Sequence, residues 1–104
     1  MGNATGIIEV YGLTAAFCAC DAGCKAADVT VECFDRNKPA NPDGLEVPLL
    51  IAVKFRGSVD SVQAAIDAAA QAARQVSDVV TMHVLTSTQP GTEPMLKLSG
   101  FDKK

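Results

Sequence analysis

The stretch that decides the fold is Val59-Asp60-Ser61-Val62-Gln63-Ala64-Ala65-Ile66-Asp67-Ala68-Ala69-Ala70-Gln71-Ala72-Ala73-Arg74-Gln75-Val76, entered through Lys54-Phe55-Arg56-Gly57-Ser58 and left toward Met82-His83-Val84-Leu85. Seven of its eighteen residues are alanine. Alanine is the strongest helix former and the smallest side chain that avoids glycine's flexibility, so the segment predicts a helix whose backbone lies close to whatever it packs on. Ser58 is placed to cap it, and Asp60 in the first turn complements the helix dipole. A helix so lightly armed does no chemistry; it is built for contact.

Working outward, Leu49-Leu50-Ile51-Ala52-Val53-Lys54-Phe55-Arg56 before it reads as a strongly apolar strand ended by Gly57, and Val79–Leu85 after it as another strand. Upstream, Gly6–Tyr11 reads as a strand stopped by Gly12. Leu13, Ala16, Phe17, Cys20, Cys24 and Ala27 recur at three- and four-residue spacing as one face of a helix over Leu13–Ala26. Val29–Phe34 alternates as a strand, and Arg36–Glu46, rich in Pro, Asn, Asp and Gly, reads as a loop longer than a usual hairpin connection. Glu93–Leu98 is either a helical turn or a short edge strand, and Ser99–Lys104 a loose tail. The order is β-α-β-β-α-β, an α+β fold in which two helices cover one face of a four-stranded antiparallel sheet, with a short C-terminal segment. Fold alone does not assign function.

A chain of 104 residues is one domain with one core. With four Phe, one Tyr and no Trp, that core is expected to be built from Val, Ile, Leu and Ala and to need help from subunit contacts. A net charge of −3 and the lack of a Lys/Arg cluster argue against a nucleic-acid partner. No long apolar run and no basic-then-apolar N-terminus is present, so neither a membrane span nor a signal peptide is expected. A cytoplasmic protein follows, with Cys18, Cys20, Cys24 and Cys33 as thiols.

The cysteines resemble a metal motif only at first sight. Each helical residue turns by about 100°, so Cys20 and Cys24 share a face while Cys18 points away from it. Even with Cys33 added, three ligands fall short of the usual four, and buried cysteines acting as small hydrophobes account for the pattern without a cofactor or metal. His83, the single histidine, lies in a strand without a recognisable nucleophile motif and gives no support for catalysis. Gly12, Gly23 and Gly57 are isolated and form no phosphate loop.

The strings Gly12-Leu13-Thr14-Ala15-Ala16, Asp21-Ala22-Gly23-Cys24-Lys25-Ala26-Ala27-Asp28-Val29, Arg56-Gly57-Ser58-Val59, Val62-Gln63-Ala64-Ala65-Ile66-Asp67-Ala68 and His83-Val84-Leu85, in this order, resemble the hexamer-forming shell proteins of bacterial microcompartments, the family of propanediol-utilisation and carboxysome shell subunits. The resemblance implies a non-enzymatic structural subunit: a flat homohexamer with a central pore for small polar metabolites. It implies tiling with other shell hexamers, trimers and pentamers around encapsulated enzymes in the cytoplasm. On this reading residues 5–98 form the shell domain and 99–104 a tail. Lys25 falls where the family places its edge lysine. Ser87 falls where many members carry an arginine that reaches across the edge, a departure that bears on self-tiling.

The family lines its pore with the turn between the second and third strands, which is longer here than in typical members. Arg36, Asn37, Lys38 and Pro39 are the candidate pore-lining residues, since sixfold repetition turns one charged side chain into a ring. Members with an iron–sulfur cluster at the pore carry cysteines in this turn, and this turn has none. Two other readings stay open: a small-molecule-binding regulatory domain of the same element order, and a shell subunit that carries metal or redox chemistry on its cysteines.

Overall fold

The computed structural model describes residues 2–37 and 50–98. The elements are β1 (Ala4–Tyr11), α1 (Leu13–Ala26), β2 (Thr30–Asn37), β3 (Leu50–Gly57), α2 (Val59–Val76), β4 (Val79–Leu85) and a short α3 (Glu93–Leu96). The strands form one sheet in the order β2-β3-β1-β4, with every pairing antiparallel. The β-α-β-β-α-β order is as expected, and Glu93–Leu96 resolves as a helical turn.

The alanine-rich helix is the frame. Ser58 Oγ accepts a hydrogen bond from Ser61 N at 3.2 Å, which satisfies one of the free amides of its first turn. Val62, Ala65, Ile66, Ala69, Ala70 and Ala73 form its buried face, a run of three- and four-residue steps. Beyond its last turn Ser77 Oγ donates to Tyr11 O at 2.7 Å and ties the helix to the end of β1. Ile8, Val10, Ile51, Val53 and Phe55 project from the sheet against Val62 and Ile66, and all are fully buried. The expected aliphatic and alanine core is therefore centred on an aromatic, Phe55, the largest fully buried side chain.

Phe55 also explains how α1 sits. Gly12, at φ 88°, turns the chain from β1 into α1 in a conformation that residues with a Cβ rarely adopt. The buried face of α1 is then Ala15, Ala16, Ala19 and Gly23, and a Cβ on Gly23 would lie 2.6 Å from Phe55 Cζ. This corrects the expected face of Leu13, Ala16, Phe17, Cys20, Cys24 and Ala27, which is rotated from the real one by about 100°. The small residues face inward because only they fit against a large ring, and Leu13 and Phe17 are left outside, 40% and 58% exposed.

Two boundaries also differ. β1 begins at Ala4, and β2 continues through Arg36 and Asn37, which pair with Ile51 and Leu50. Those two residues are ladder members, whereas the expected loop began at Arg36. A register shift between Val31 and Cys33 lets both Glu32 and Cys33 reach partners on the sheet face away from α1 and α2.

Candidate assembly surfaces

That far face carries α3 and the segment leading to it. Thr88 N donates to Asn3 O at 2.9 Å, Asn3 Nδ2 donates to Thr88 O at 3.1 Å, and the hydroxyls of Thr5 and Thr88 are 2.7 Å apart and buried. Arg56 holds the next turn. Its Nη2 donates to Glu93 Oε2 at 2.8 Å, its Nη1 lies 2.8 Å from Glu93 Oε1, and Nη1 also donates to Asn3 Oδ1 at 2.9 Å. The two-point fork is the geometry arginine offers a carboxylate. It keeps the Glu93 carboxyl below its ordinary range and raises the guanidinium. Glu32 Oε1 lies 3.4 Å from Arg56 Nε, an ion pair without hydrogen-bond alignment, so Nε is a buried donor with no hydrogen bond among the described residues. Lys54, on the same face, donates to Leu96 O at 3.3 Å and Leu98 O at 3.0 Å and lies 3.6 Å from Asp35 Oδ2. None of these contacts was legible in the sequence, although Lys54 and Arg56 alternating with Val53 and Phe55 in an apolar strand was a signal that the second face is covered.

The residues singled out from the sequence lie on the periphery. Lys25 is in the last turn of α1, exposed, with Nζ 2.7 Å from Asp21 Oδ2 one helical turn earlier. That hydrogen bond raises the lysine's pKa and orients its stem along the helix. Ser87 is exposed in the bend after β4, beside the buried Thr88. Arg36 is exposed at the end of β2, and Asn37 follows it in the ladder. Lys38 and Pro39 lie outside the described residues.

The cysteines are less buried than expected: Cys18, Cys20 and Cys33 are half-buried and Cys24 is exposed. Burial, with the Cys24 thiol adding to it, pushes the Cys20 thiol up to about 11. No group of three or more potential metal ligands occurs among the described residues. His83 is exposed on β4, opposite Ile7.

The surfaces that sequence reasoning missed are apolar. β4 is an edge strand, and Val80 and Met82 on it are 38% and 43% exposed. On α1, Leu13 and Phe17 point outward, and the Phe17 ring tilts against Phe34 of β2 at a centroid distance of 5.1 Å. An open edge strand with exposed apolar side chains invites pairing or packing with another chain unless it is covered. Among the described residues no helix is long and apolar enough to cross a membrane.

Comparison with known proteins agrees with this arrangement. A family model described as the BMC domain matches residues 4–88. Proteins named bacterial microcompartment shell protein PduA, from Citrobacter freundii and from Salmonella typhimurium strain LT2, are each 37% identical over 94 residues, 90% of this chain and 91% and 90% of theirs. A crystal structure of a microcompartments protein from Desulfitobacterium hafniense DCB has the same fold, with a TM-score of 0.73 at 20% identity over 90% of this chain. The chain spans about half, 48%, of that structure's length. The match to the family model over most of the sheet and both long helices, with relatives similar along nearly their whole length, shows that the chain belongs to the BMC-domain family.

Proposed function

We propose that this chain is a structural subunit of a bacterial microcompartment shell in the cytoplasm. It assembles as a cyclic hexamer around a central pore for small polar metabolites, and the hexamers tile with one another and with other shell oligomers around encapsulated enzymes. The observation that carries the reading is the similarity to the PduA shell proteins along nearly the whole chain. The uncovered apolar surface supports it, because Leu13, Phe17, Val80 and Met82 leave the subunit with packing surface that a neighbour would bury. The role is architectural, without catalysis of its own.

Within the hexamer we assign Arg36, Asn37, Lys38 and Pro39 to the rim of the pore, at the start of the β2–β3 connection. We assign Lys25 and Ser87 to the edge between hexamers. Lys25 is suited to that place: its stem is exposed beyond the last turn of α1 and its ammonium has donors to spare for carbonyls of a facing hexamer. Native mass spectrometry tests the assembly. A sixfold mass that persists on dilution is the expected result, and a dimer, as a ligand-binding regulatory domain of this topology would form, overturns it.

A further inference from the structure

Cys33 and Lys54 face each other across the β2–β3 ladder on the side away from α1 and α2. Directly opposed side chains on one sheet face start with Cβ atoms about 4.5–5.5 Å apart. Here the reactive atoms are also gathered at one place, because both donate to the same two oxygens. Lys54 Nζ lies 3.3 Å from Leu96 O and 3.0 Å from Leu98 O, and Cys33 Sγ lies 3.1 Å and 3.4 Å from the same atoms. Two donors that share two acceptors at such distances are neighbours. The lysine side chain is only 7% exposed, while the cysteine is half-buried, so the amine is withdrawn from water and the sulfur keeps an opening to it. Burial pushes the thiol pKa up and Lys54 opposes the shift by charge and by hydrogen bonding. The resting sulfur is thus a thiol, with the lysine side chain beside it.

We propose that Cys33 and Lys54 form a sulfur–nitrogen crosslink, reversible by thiols, when a hydroperoxide oxidises the sulfur. The hydroperoxide transfers one oxygen atom to Cys33 Sγ, giving the sulfenic acid and releasing water or an alcohol. Sulfenic acids condense with nitrogen nucleophiles as well as with thiols. Lys54 gives one proton to Asp35, whose Oδ2 lies 3.6 Å from Nζ, and the free amine attacks the sulfur. The S–N bond forms, the S–O bond breaks, and the departing hydroxyl leaves as water with a second proton from nitrogen. The sulfur is oxidised by two electrons, the peroxide is reduced by two, and the product is two hydrogen atoms lighter than the reduced protein. An external dithiol returns the thiol and the amine and leaves as its own disulfide.

The crosslink has a structural consequence. It removes the S–H donor and leaves the lysine nitrogen a single N–H, so one donor remains where thiol and amine together held the carbonyls of Leu96 and Leu98. The segment from Glu93 to Leu98 keeps the Arg56 fork, and its second anchor is reduced to one N–H donor. Oxidation therefore loosens the α3 strap on this face of the subunit.

The test uses the assembled protein treated with graded hydrogen peroxide, blocked with iodoacetamide, digested with trypsin and analysed by mass spectrometry. The dose is raised until the exposed Cys24 is oxidised. The expected result is a pair of peptides joined between Cys33 and Lys54, lighter than their sum by two hydrogens, uncleaved after Lys54, absent after dithiothreitol treatment and absent in Cys33→Ser. Amide exchange over 93–98 should rise with the yield of crosslink. In Lys54→Arg, which keeps the cation but excludes this bond, Cys33 should pass on to sulfinic and sulfonic acids. Recovery of wild-type Cys33 only as thiol, mixed disulfide or over-oxidised acid, with trypsin still cutting after Lys54, overturns the proposal from the wild-type protein alone.

Discussion

Gly23→Ala is the substitution on which helix propensity and packing disagree in sign. Gly23 lies in the interior of α1, where alanine is favoured over glycine by about 0.8–1 kcal/mol. Against this, the new Cβ would stand 2.6 Å from Phe55 Cζ, 2.9 Å from Phe55 Cε1 and 3.2 Å from Ala65 O. Carbon–carbon contacts are comfortable at about 3.5–4.0 Å, so ring and helix must separate by roughly 1 Å. Phe55 is fully buried and the third neighbour is backbone of α2, so no flexible side-chain end can give way. Overpacking of this kind costs about 1–3 kcal/mol, more than the propensity gain. The net expectation is a loss of about 1 kcal/mol, a fall in Tm of roughly 4–8 °C for a domain of this size. Thermal unfolding of wild type and variant at matched protein concentration measures it, since subunit association makes Tm concentration-dependent. Placing the same change in a Phe55→Leu background should recover part of the loss, because the ring edge is gone. A rise in Tm for Gly23→Ala would refute the reasoning and show that α1 can lift off the ring at little expense.

Lys25→Ala should leave hexamers intact and abolish extended sheets in electron micrographs of the purified protein; unchanged sheets would remove Lys25 from the edge contact. Met82→Lys puts a charge on the exposed apolar side of the β4 edge, and sedimentation should show a shift toward monomer, whereas an unchanged hexamer would place the subunit contact elsewhere. Glu93 has a lowered folded pKa through its hydrogen bond to Arg56, so the stability of the α3 strap is fully present above the ordinary carboxylate value and is lost as pH falls through the lowered one. Amide exchange at Glu93–Leu96 should accelerate only in that acid window, and in Glu93→Gln the strap should already exchange faster at neutral pH and show no such step. Replacing residues 38–46 by a short Gly-Ser turn should preserve the hexamer and raise shell permeability to polar metabolites, and a permeability that does not change would refute the pore role given to this connection.

The parts of the fold written in periodicity were legible, and those set by tertiary contact were not. Val59–Val76 and Val79–Leu85 carry their boundaries locally, through Ser58 at the cap and a clean change of period, and both elements begin and end where the sequence places them. The face of α1 was misread because its spacing is satisfied by two overlapping sets. Leu13, Phe17 and Cys20 have the greater hydrophobicity, but Ala15, Ala19 and Gly23 have the size that fits against Phe55. Steric fit decided the matter, and it is a property of the pair of elements, invisible in either alone. The strap over the far face was illegible for a related reason: Arg56 and Glu93 are distant in sequence, and nothing local announces that an arginine inside an apolar strand will meet a carboxylate on a four-residue helix. Of the residues proposed for assembly, Lys25 rests on the motif alone. Arg36 and Asn37 fell into a loop only because Pro39, Asn41 and Pro42 nearby dominate the composition, although the antiparallel ladder continues through both.

The misread helix face bears on assembly. A stripe of alanine and glycine lets both long helices lie low on the sheet, so large apolar side chains that a thicker two-layer fold would enclose have no room beneath them. Leu13 and Phe17 are turned out on one helix, and Val80 and Met82 stand on an open strand. Full burial of such a side chain contributes about 1.5–3 kcal/mol, and since these are 38–58% exposed, covering each at a contact contributes roughly half of that. The two edges of the sheet are also unlike. β4 presents Val80 and Met82, while β2 ends in Arg36 and Asn37 and carries Phe34 against Phe17. A twofold contact joins a patch to itself, but a ring joins one patch to a different one on the next subunit. Unlike edges flanking one thin apolar layer are what a closed ring of identical subunits requires, so the same small residues that bring α1 and α2 down onto the sheet also leave the apolar surface by which one subunit can hold the next.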